Sequence, residues 1–217
     1  MAALCYNGKV TEYLIGIDEV GRGALAGPVG VGAVLCPADF AWREVFKLIT
    51  KKGTPKLKDS KQLTAQQRDT LFEYIVAHGR LRHAVAFVDA HTIDEIGIVN
   101  AANEAAAVAI GELGIRPSRI KVMLDAGLRV PSKWSQKSYV RGDETIPAIA
   151  FASIVAKVVR DRRMEEAAKL YTPYFFEQNK GYGTLAHRKA IAHTGLCELH
   201  RATFCAHLSE GSRYPRR

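Results

Sequence analysis

The stretch EYLIGIDEVGRGALAGPVGVGAVL, residues 12–35, contains two short apolar segments on either side of a glycine-rich turn. The first segment, residues 12–18, is mostly apolar, and the second, residues 28–35, has valine at alternate positions. Both patterns are typical of β-strands. The glycines between them permit backbone geometries closed to other residues and allow a ligand to approach the backbone closely. We therefore predict two strands joined by a tight glycine turn.

The rest of the chain alternates helical and strand-like patterns. Helices are predicted from Thr64, with Gln67 completing a capping box, to near Gly79, from Thr92 through Ala109, from Ala148 to Leu170, and from Thr184 to His193. Strands are predicted around Val85 and Val88, in RIKVMLDAG at 119–127, and in SQKSYVRGD at 135–143, which should reach solvent near Gly142 and Asp143. The stretch from Trp42 to Leu57 is basic and irregular.

This alternation predicts the fold class and the organisation of the chain. Opening strands followed by alternating elements indicate an α/β domain with a mixed central β-sheet flanked by helices. We expect a single domain over residues 1–217, with a core at about 10–170 and a small helical C-terminal region with a basic tail at about 171–217.

The charge balance favours a polyanionic partner. Lys and Arg number 31 against 22 Asp and Glu, which gives the chain of 217 residues a formal net charge of +9. Nucleic acid is the leading candidate, although many small basic proteins bind nothing specific.

Cysteine spacing and apolar runs bear on the compartment. The four cysteines are scattered without the spacing of a disulfide framework, and no secretory signal begins the chain. No apolar run approaches the roughly 18 residues that are needed to cross a bilayer. We therefore expect a cytoplasmic protein without membrane insertion. We also expect it to be a monomer.

Four acidic side chains lie where strands or loops are predicted to end: Asp18, Glu19, Asp125 and Asp143. Hard cations such as Mg²⁺ take oxygen ligands, and two of them about 4 Å apart can activate a water and stabilise the leaving oxygen in phosphodiester cleavage. Each acid taken alone also has an ordinary explanation, because Asp commonly begins turns and adjacent acids are common at surfaces. Together they are candidates for a two-metal site.

Five stretches together resemble the ribonuclease HII family, in family order and at family-like spacings over Leu14 to Phe204. They are GIDEVGRGALAGPV, LKDSKQL, VMLDAG, VRGDETIPAIAFASIVAKVVRDR and NKGYGT. The resemblance implies an RNase-H-like fold and endonucleolytic cleavage of the RNA strand of RNA/DNA hybrids. It also implies cleavage at single ribonucleotides embedded in duplex DNA, with Mg²⁺ or Mn²⁺ as cofactor and 5′-phosphate products.

The resemblance also implies roles for individual residues. The family's catalytic and metal-binding acids fall on Asp18, Glu19, Asp125 and Asp143. Gly21, Arg22 and Gly23 match the element that senses the ribose 2′-hydroxyl, Tyr182 matches the tyrosine that packs on the following deoxyribose, and Asp59, Ser60 and Lys61 match a loop near the substrate backbone. Lys180, in the same motif as Tyr182, joins the substrate-binding set.

Several of these substrate-binding residues have alternative interpretations. Arg22 could be a plain phosphate contact, Tyr182 a buried core residue, and the Ser60 loop a helix cap followed by a solvated lysine. Lys157 and Arg160, with the nearby Arg162 and Arg163, could form a phosphate-tracking stripe along a helix or only a solvated face.

Three other hypotheses compete with the interpretation as a ribonuclease HII with a two-metal site. Cys197, His200, Cys205 and His207 have a spacing that faintly resembles a zinc knuckle, although free cysteines are often small buried hydrophobes. A ribonuclease HIII-like enzyme would share the acidic framework, but that type tends to have GKG where this chain has GRG, and it has a long N-terminal extension. A non-catalytic basic module that binds hybrids is disfavoured, because clustered carboxylates oppose nucleic-acid binding unless cations neutralise them.

Overall fold

The structure is a computed structural model that describes residues 5–6, 9–10, 13–50, 57, 60–117 and 120–209. The strands are β1 Cys5–Tyr6, β2 Lys9–Val10, β3 Tyr13–Val20, β4 Val29–Pro37, β5 Arg82–Val88, β6 Ile120–Asp125 and β7 Ser135–Tyr139. The α-helices are α1 Trp42–Lys47, α2 Ala65–Ala77, α3 Ala90–Ile96, α4 Ile98–Glu112, α5 Gly142–Thr145, α6 Pro147–Leu170, α7 Phe176–Asn179, α8 Leu185–Thr194 and α9 Ala202–Ser209. Short 3-10 helices span Ser60–Gln62 and Thr172–Tyr174.

The five longer strands form one mixed sheet in the order β5-β4-β3-β6-β7. The opening hairpin is antiparallel, whereas β6 runs parallel to β3 and β7 runs parallel to β6. The predicted α/β fold with a mixed sheet is therefore confirmed. Because β3, β6 and β7 are parallel, their carboxyl ends meet at one edge of the sheet, which is where ligands bind in α/β folds.

Helices cover both faces of the sheet. The small side chains of α4, including Ala101 and Ala105, pack on one face with Ile15 and Ile17 of β3. On the other face α6 and α2 pack over Val34 of β4, in a cluster with the buried aromatic Phe151. Successive strand residues point to opposite faces, so the even-numbered positions of β3 are the ones directed toward α6.

The predicted helix from Thr92 through Ala109 is wrong in its start and its continuity. Asp89 is the N-cap, its carboxylate accepting the Thr92 N–H at 2.8 Å, and α3 ends at Ile96 with Gly97 as its C-cap. That glycine has φ +78°, a conformation outside the helical region, and α4 begins at the next residue.

Of two other predictions about helices, one is confirmed and one is partly wrong. The capping box at Thr64 is present, with both reciprocal hydrogen bonds formed to Gln67. The basic stretch that begins at Trp42 is not wholly irregular, because α1 occupies its first six residues and buries Val45 and Phe46. Among the described residues, no helix is long and apolar enough to span a membrane.

Candidate active site

Three carboxylates converge where the parallel strands end. Asp18 and Glu19 lie near the end of β3, and Asp125 is the last residue of β6. In the register of these strands Ile17 lies opposite Leu124, so the residues that follow them are brought side by side. One oxygen from each of the three carboxylates lies within 4.8 Å of the others. Within the described part of the chain, this is the only group of such residues that could hold a metal ion.

The fourth predicted acid, Asp143, lies in α5 immediately beyond β7. The expectation that Gly142 and Asp143 reach solvent is wrong, because β7 ends at Tyr139 and both residues are buried. The Gly142 N–H donates to Asp125 Oδ1 at 2.9 Å, which fixes the start of α5 against the end of β6. Asp143 does not belong to the three-carboxylate group, but its negative charge raises the pKa of Asp18.

The electrostatics of Asp18 reflect this crowding. Burial raises the pKa of Asp18 well above its ordinary range, a hydrogen bond from the Ser153 side chain lowers it, and the charges of Glu19, Asp125 and Asp143 raise it further. The pKa of Glu19 is also raised, mainly by burial, against a hydrogen bond and charge from Arg22 that lower it. Carboxylates placed together in this way favour either protonation or a bound cation.

One carboxylate oxygen, Glu19 Oε2, is evidence that the site can hold a cation. Glu19 Oε1 accepts a hydrogen bond from Arg22 Nη1 at 3.1 Å, but Glu19 Oε2 is buried without a hydrogen-bond partner among the described residues. A buried carboxylate oxygen without a partner is costly in a protein that binds nothing there. An all-oxygen donor set suits hard divalent cations, so the residues present fit the predicted Mg²⁺ or Mn²⁺.

A cleft of about 440 Å³ opens beside these acids. It brings together nine of the predicted site residues with Val20 and Ser153; its lining is Asp18, Glu19, Val20, Gly21, Arg22, Gly23, Ser60, Lys61, Ser153, Lys157 and Tyr182. The predicted residues that do not line it are Asp125, Asp143, Arg160 and Lys180. Asp59 lies outside the described residues.

The glycine turn forms part of the cleft wall. Gly21 is buried with φ +82°, a conformation that side chains rarely adopt, and a Cβ there would collide with the Arg160 side chain. At Gly23, by contrast, a Cβ would meet no atom within 4 Å, so the cleft side of the turn is open. Arg22 links the turn to the acids through its hydrogen bond to Glu19.

Tyr182 borders the cleft from the C-terminal side. Its side chain is half-buried, so it is not the fully buried core tyrosine of the alternative interpretation. The Lys157 ammonium lies 5.7 Å from the ring centroid and the Arg160 guanidinium 5.4 Å from it. These cations hold the ring against α6.

The predicted basic stripe along α6 is wrong at Arg160. That side chain is fully buried, and its guanidinium donates to the backbone oxygens of Pro28, Lys180 and Ala26. It therefore cannot contact a phosphate without leaving the core.

The other basic residues of this region have acidic or aromatic partners. Lys157 forms a 2.7 Å ion pair with Asp161, and Lys180 forms a 2.8 Å ion pair with Glu165. The outer members of the predicted stripe are likewise engaged: Arg162 with Asp69, and Arg163 over the Phe87 ring. Of the predicted basic contacts on or beside α6, Lys157 is the one that lines the cleft.

Ser153 lines the cleft although it was not predicted from the sequence. It is buried in α6, its side chain hydrogen-bonds to Asp18, and its Oγ lies 2.9 Å from Ser60 Oγ. The signal available in the sequence was a lone polar residue within the apolar first ten residues of a helix, where a buried hydroxyl needs a partner. This chain of contacts places the Ser60 loop, α6 and β3 in direct connection.

The described members of the proposed zinc knuckle do not form a metal-binding group. His200 Nδ1 lies 3.2 Å from Cys197 Sγ, but its Nε2 lies 3.1 Å from His187 Nε2. Cys205 Sγ points to the backbone oxygen of Leu25, at 3.8 Å. The side chain of His207 lies outside the described residues.

A family model, curated relatives and solved structures all show similarity of this chain to type 2 ribonucleases H. The family model described as Ribonuclease HII matches residues 15–207. A curated relative from Syntrophus aciditrophicus, named Ribonuclease HII, is 39% identical over 193 residues, which are 89% of this chain and 84% of that protein. The crystal structure of ribonuclease H2 from Pyrococcus horikoshii OT3 superposes with a TM-score of 0.71 at 25% identity, covering 94% of this chain and all of that one.

A solved structure of another type shares the fold. Bst-RNase HIII in complex with Mn²⁺ superposes with a TM-score of 0.69, covering 93% of this chain and 70% of that one. Its sequence is 17% identical, so this likeness concerns the fold alone.

Proposed function

The chain belongs to the ribonuclease HII family, and from this premise we propose that it cuts RNA/DNA hybrids by two-metal-ion catalysis and also cuts 5′ of a single ribonucleotide in duplex DNA. Membership in the family makes it a ribonuclease H, an endonuclease that acts on RNA/DNA. The single observation that supports the finer proposal is that one cleft is lined by catalytic acids and by the glycine turn.

The acids would hold the cations that the reaction requires. Asp18, Glu19 and Asp125 each present one oxygen within 4.8 Å of the others, and the charge of Asp143, in α5, raises the pKa of Asp18. Two divalent cations bound by these carboxylates would supply activation of the attacking water and charge stabilisation of the leaving oxygen.

The surrounding protein prepares these carboxylates. Ser153 hydrogen-bonds to Asp18 and so fixes the orientation of the carboxylate most deeply buried in the set. The Gly142 N–H does the same for Asp125, and Arg22 for one oxygen of Glu19. Each of the three acids therefore has a partner that limits its rotation, which is the condition for precise coordination.

The turn would identify the ribonucleotide. Only backbone groups are present at Gly21 and Gly23, so a sugar can approach the turn closely, and the 2′-hydroxyl is the group that distinguishes RNA from DNA. Tyr182, at the edge of the same cleft, would pack on the following deoxyribose, while Ser60, Lys61 and Lys157 would contact phosphates. Because the turn and Tyr182 match the family motifs for a ribonucleotide followed by a deoxyribonucleotide, we propose cleavage 5′ of the ribonucleotide, with 3′-hydroxyl and 5′-phosphate ends.

The biological setting follows from this substrate choice. We propose that the protein acts as a monomer in the cytoplasm, in removal of ribonucleotides from DNA and of RNA primers during replication. The net charge of +9 is consistent with a polyanionic substrate.

Asp18→Asn tests the assignment of the active site, because an amide keeps the shape of the side chain but is a poor ligand for a hard cation. We expect this variant to lose cleavage of a hybrid in Mg²⁺ while it retains hybrid binding in a gel-shift titration. Asp39→Asn, at an exposed acid distant from the cleft in an ion pair with Arg80, serves as the matched control and should cut normally. Near-normal cleavage by Asp18→Asn would overturn the assignment.

A further inference from the structure

Arg201, immediately before α9, is fully buried beneath the glycine turn. Its guanidinium donates to Gly21 O at 2.8 Å, to Arg22 O at 2.9 Å, and twice to Gly27 O at 2.9 and 3.0 Å. Among the described residues no carboxylate forms an ion pair with it. Burying a guanidinium without a carboxylate costs free energy. Here the hydrogen bonds that offset this cost all go to the backbone oxygens of Gly21, Arg22 and Gly27.

These hydrogen bonds, together with the Ala24 N–H bond to Gly21 O at 3.2 Å, fix the direction of two backbone amides. In a planar trans peptide the N–H points opposite to the C=O of the preceding residue. Because the oxygens of Gly21 and Arg22 point inward to Arg201, the N–H groups of Arg22 and Gly23 point away from it. Neither amide has a hydrogen-bond acceptor among the described residues, and both residues line the cleft. The turn thus presents two unpaired donors toward bound substrate.

The backbone around Arg201 is held in register with the turn. Arg201 N–H donates to Leu25 O at 2.8 Å, and Gly27 N–H donates to Leu199 O at 2.7 Å. On the far side, the Asp94 carboxylate accepts from Ala202 N at 2.6 Å at the start of α9. Hydrogen bonds of the backbone on both sides of Arg201 therefore fix the position from which its guanidinium reaches the turn.

We propose that Arg201 is a positioning residue for ribose recognition: it orients the peptide planes of the glycine turn so that the Arg22 and Gly23 amides can receive the 2′-hydroxyl. This inference rests on the proposed function, because it assumes that the turn reads the ribose. Arg160 differs from it, because that equally buried arginine bonds to Pro28, Ala26 and Lys180 and to no oxygen of residues 21–23.

The test measures discrimination by binding, so it does not depend on cleavage. In an Asp18→Asn background, the affinities for a duplex with one ribonucleotide and for the all-DNA duplex of the same sequence are compared. Arg201→Lys keeps the charge but cannot bridge three oxygens, and Arg201→Gln avoids burying a charge if the lysine variant fails to fold. Ile110→Ala, on the buried face of α4 in a core cluster that does not include the turn, controls for general destabilisation.

The background protein should prefer the ribonucleotide duplex. In both Arg201 variants the ratio of the two affinities should fall about tenfold, which is the equivalent of one lost hydrogen bond. Their affinity for the all-DNA duplex should stay within about twofold, because phosphate contacts remain. Ile110→Ala should retain the preference. If the Arg201 variants discriminate as well as the background protein, or weaken equally for both duplexes, the inference is wrong. If the background protein itself does not discriminate, ribose recognition by the turn is wrong, and the inference is overturned with it.

Discussion

Gly16 of β3 is in backbone contact with Ala148 of α6, since a Cβ on Gly16 would lie 2.0 Å from the Ala148 carbonyl carbon and oxygen. Likewise, a Cβ on Gly32 of the neighbouring strand would lie 2.4 Å from the Ala152 carbonyl oxygen. These two glycines allow α6 to lie directly on the sheet. Asp18 is two residues beyond Gly16 and therefore on the same face, where Ser153 of the helix reaches its carboxylate.

Gly16→Ala should destabilise the protein by about 3 kcal/mol, because the added methyl group meets backbone atoms that cannot rotate away. Urea unfolding followed by circular dichroism measures the change. Gly111→Ala is the matched control: this glycine lies in α4, and a Cβ there would meet no atom within 4 Å. The control should gain about 0.5–1 kcal/mol from higher helix propensity. Equal effects of the two substitutions would refute the close contact of β3 and α6.

Ser153→Ala should weaken the binding of divalent metal at the acids. Loss of the hydrogen bond leaves the Asp18 carboxylate free to rotate, and we expect the Mg²⁺ concentration that gives half-maximal cleavage to rise about tenfold. Calorimetric titration with Mn²⁺ gives the same comparison without turnover. Thr70→Ala, which removes an exposed hydroxyl on α2, should leave the metal requirement unchanged. An unchanged requirement in Ser153→Ala would show that the hydroxyl does not orient Asp18.

The convergence of Asp18, Glu19 and Asp125 could be predicted from the sequence because its signals are local. Asp18 and Asp125 end apolar strands, and the carboxyl ends of parallel strands meet at one sheet edge whatever the rest of the chain does. The family motifs then located the turn and Tyr182, and both line the cleft with the acids.

What the sequence could not predict depends on burial and on contacts distant in the chain. A helical charge pattern does not reveal which cation faces the core, so Arg160 was placed on an exposed stripe although it is fully buried. The roles of Ser153 and Arg201 arise from partners more than 90 residues away, Ser60 and Gly21. The break at Gly97 was missed because one glycine in an alanine-rich helical pattern is compatible with a continuous helix.

The His187–His200 pair predicts loss of stability in acid. Burial, and then the charge of His187, lowers the pKa of His200 to about 4. At His200 the unfolded chain therefore binds more protons than the folded protein between about pH 6.5 and 4, so the contribution of His200 to the free energy of unfolding falls as pH falls through this window. This contribution should be about 2 kcal/mol smaller at pH 5 than at pH 7. The raised pKa values of Asp18 and Glu19 act in the opposite direction, so the contribution is measured by urea unfolding of the wild type and of a His200 variant at both pH values.

His200→Gln should remove most of this pH dependence, since a neutral amide can still hydrogen-bond His187 but cannot titrate. His91→Gln, at an exposed histidine of α3, is the control and should keep the full dependence. If the free energy of unfolding changes between pH 7 and pH 5 by the same amount in the wild type and in His200→Gln, the buried, neutral pair is contradicted.

Removal of the metal should reveal repulsion among the acids. Without divalent cations, Asp18→Asn should be more stable than the wild type by about 1–3 kcal/mol at neutral pH, because it removes one buried charge from a group of like charges. Mn²⁺ should then raise the melting temperature of the wild type and leave that of the variant nearly unchanged. A metal-free variant that melts below the wild type would contradict the crowding of the carboxylates.

The most direct test of the central claim, that the acids and the glycine turn act together on one ribonucleotide, is product mapping on an end-labelled DNA duplex containing a single ribonucleotide. We predict one cut, 5′ of the ribonucleotide, with 3′-hydroxyl and 5′-phosphate ends, in Mg²⁺ or Mn²⁺ and not in EDTA, and no cut in the all-DNA duplex. Cleavage confined to long hybrids, cleavage at another linkage, or equal cleavage in EDTA would contradict the claim.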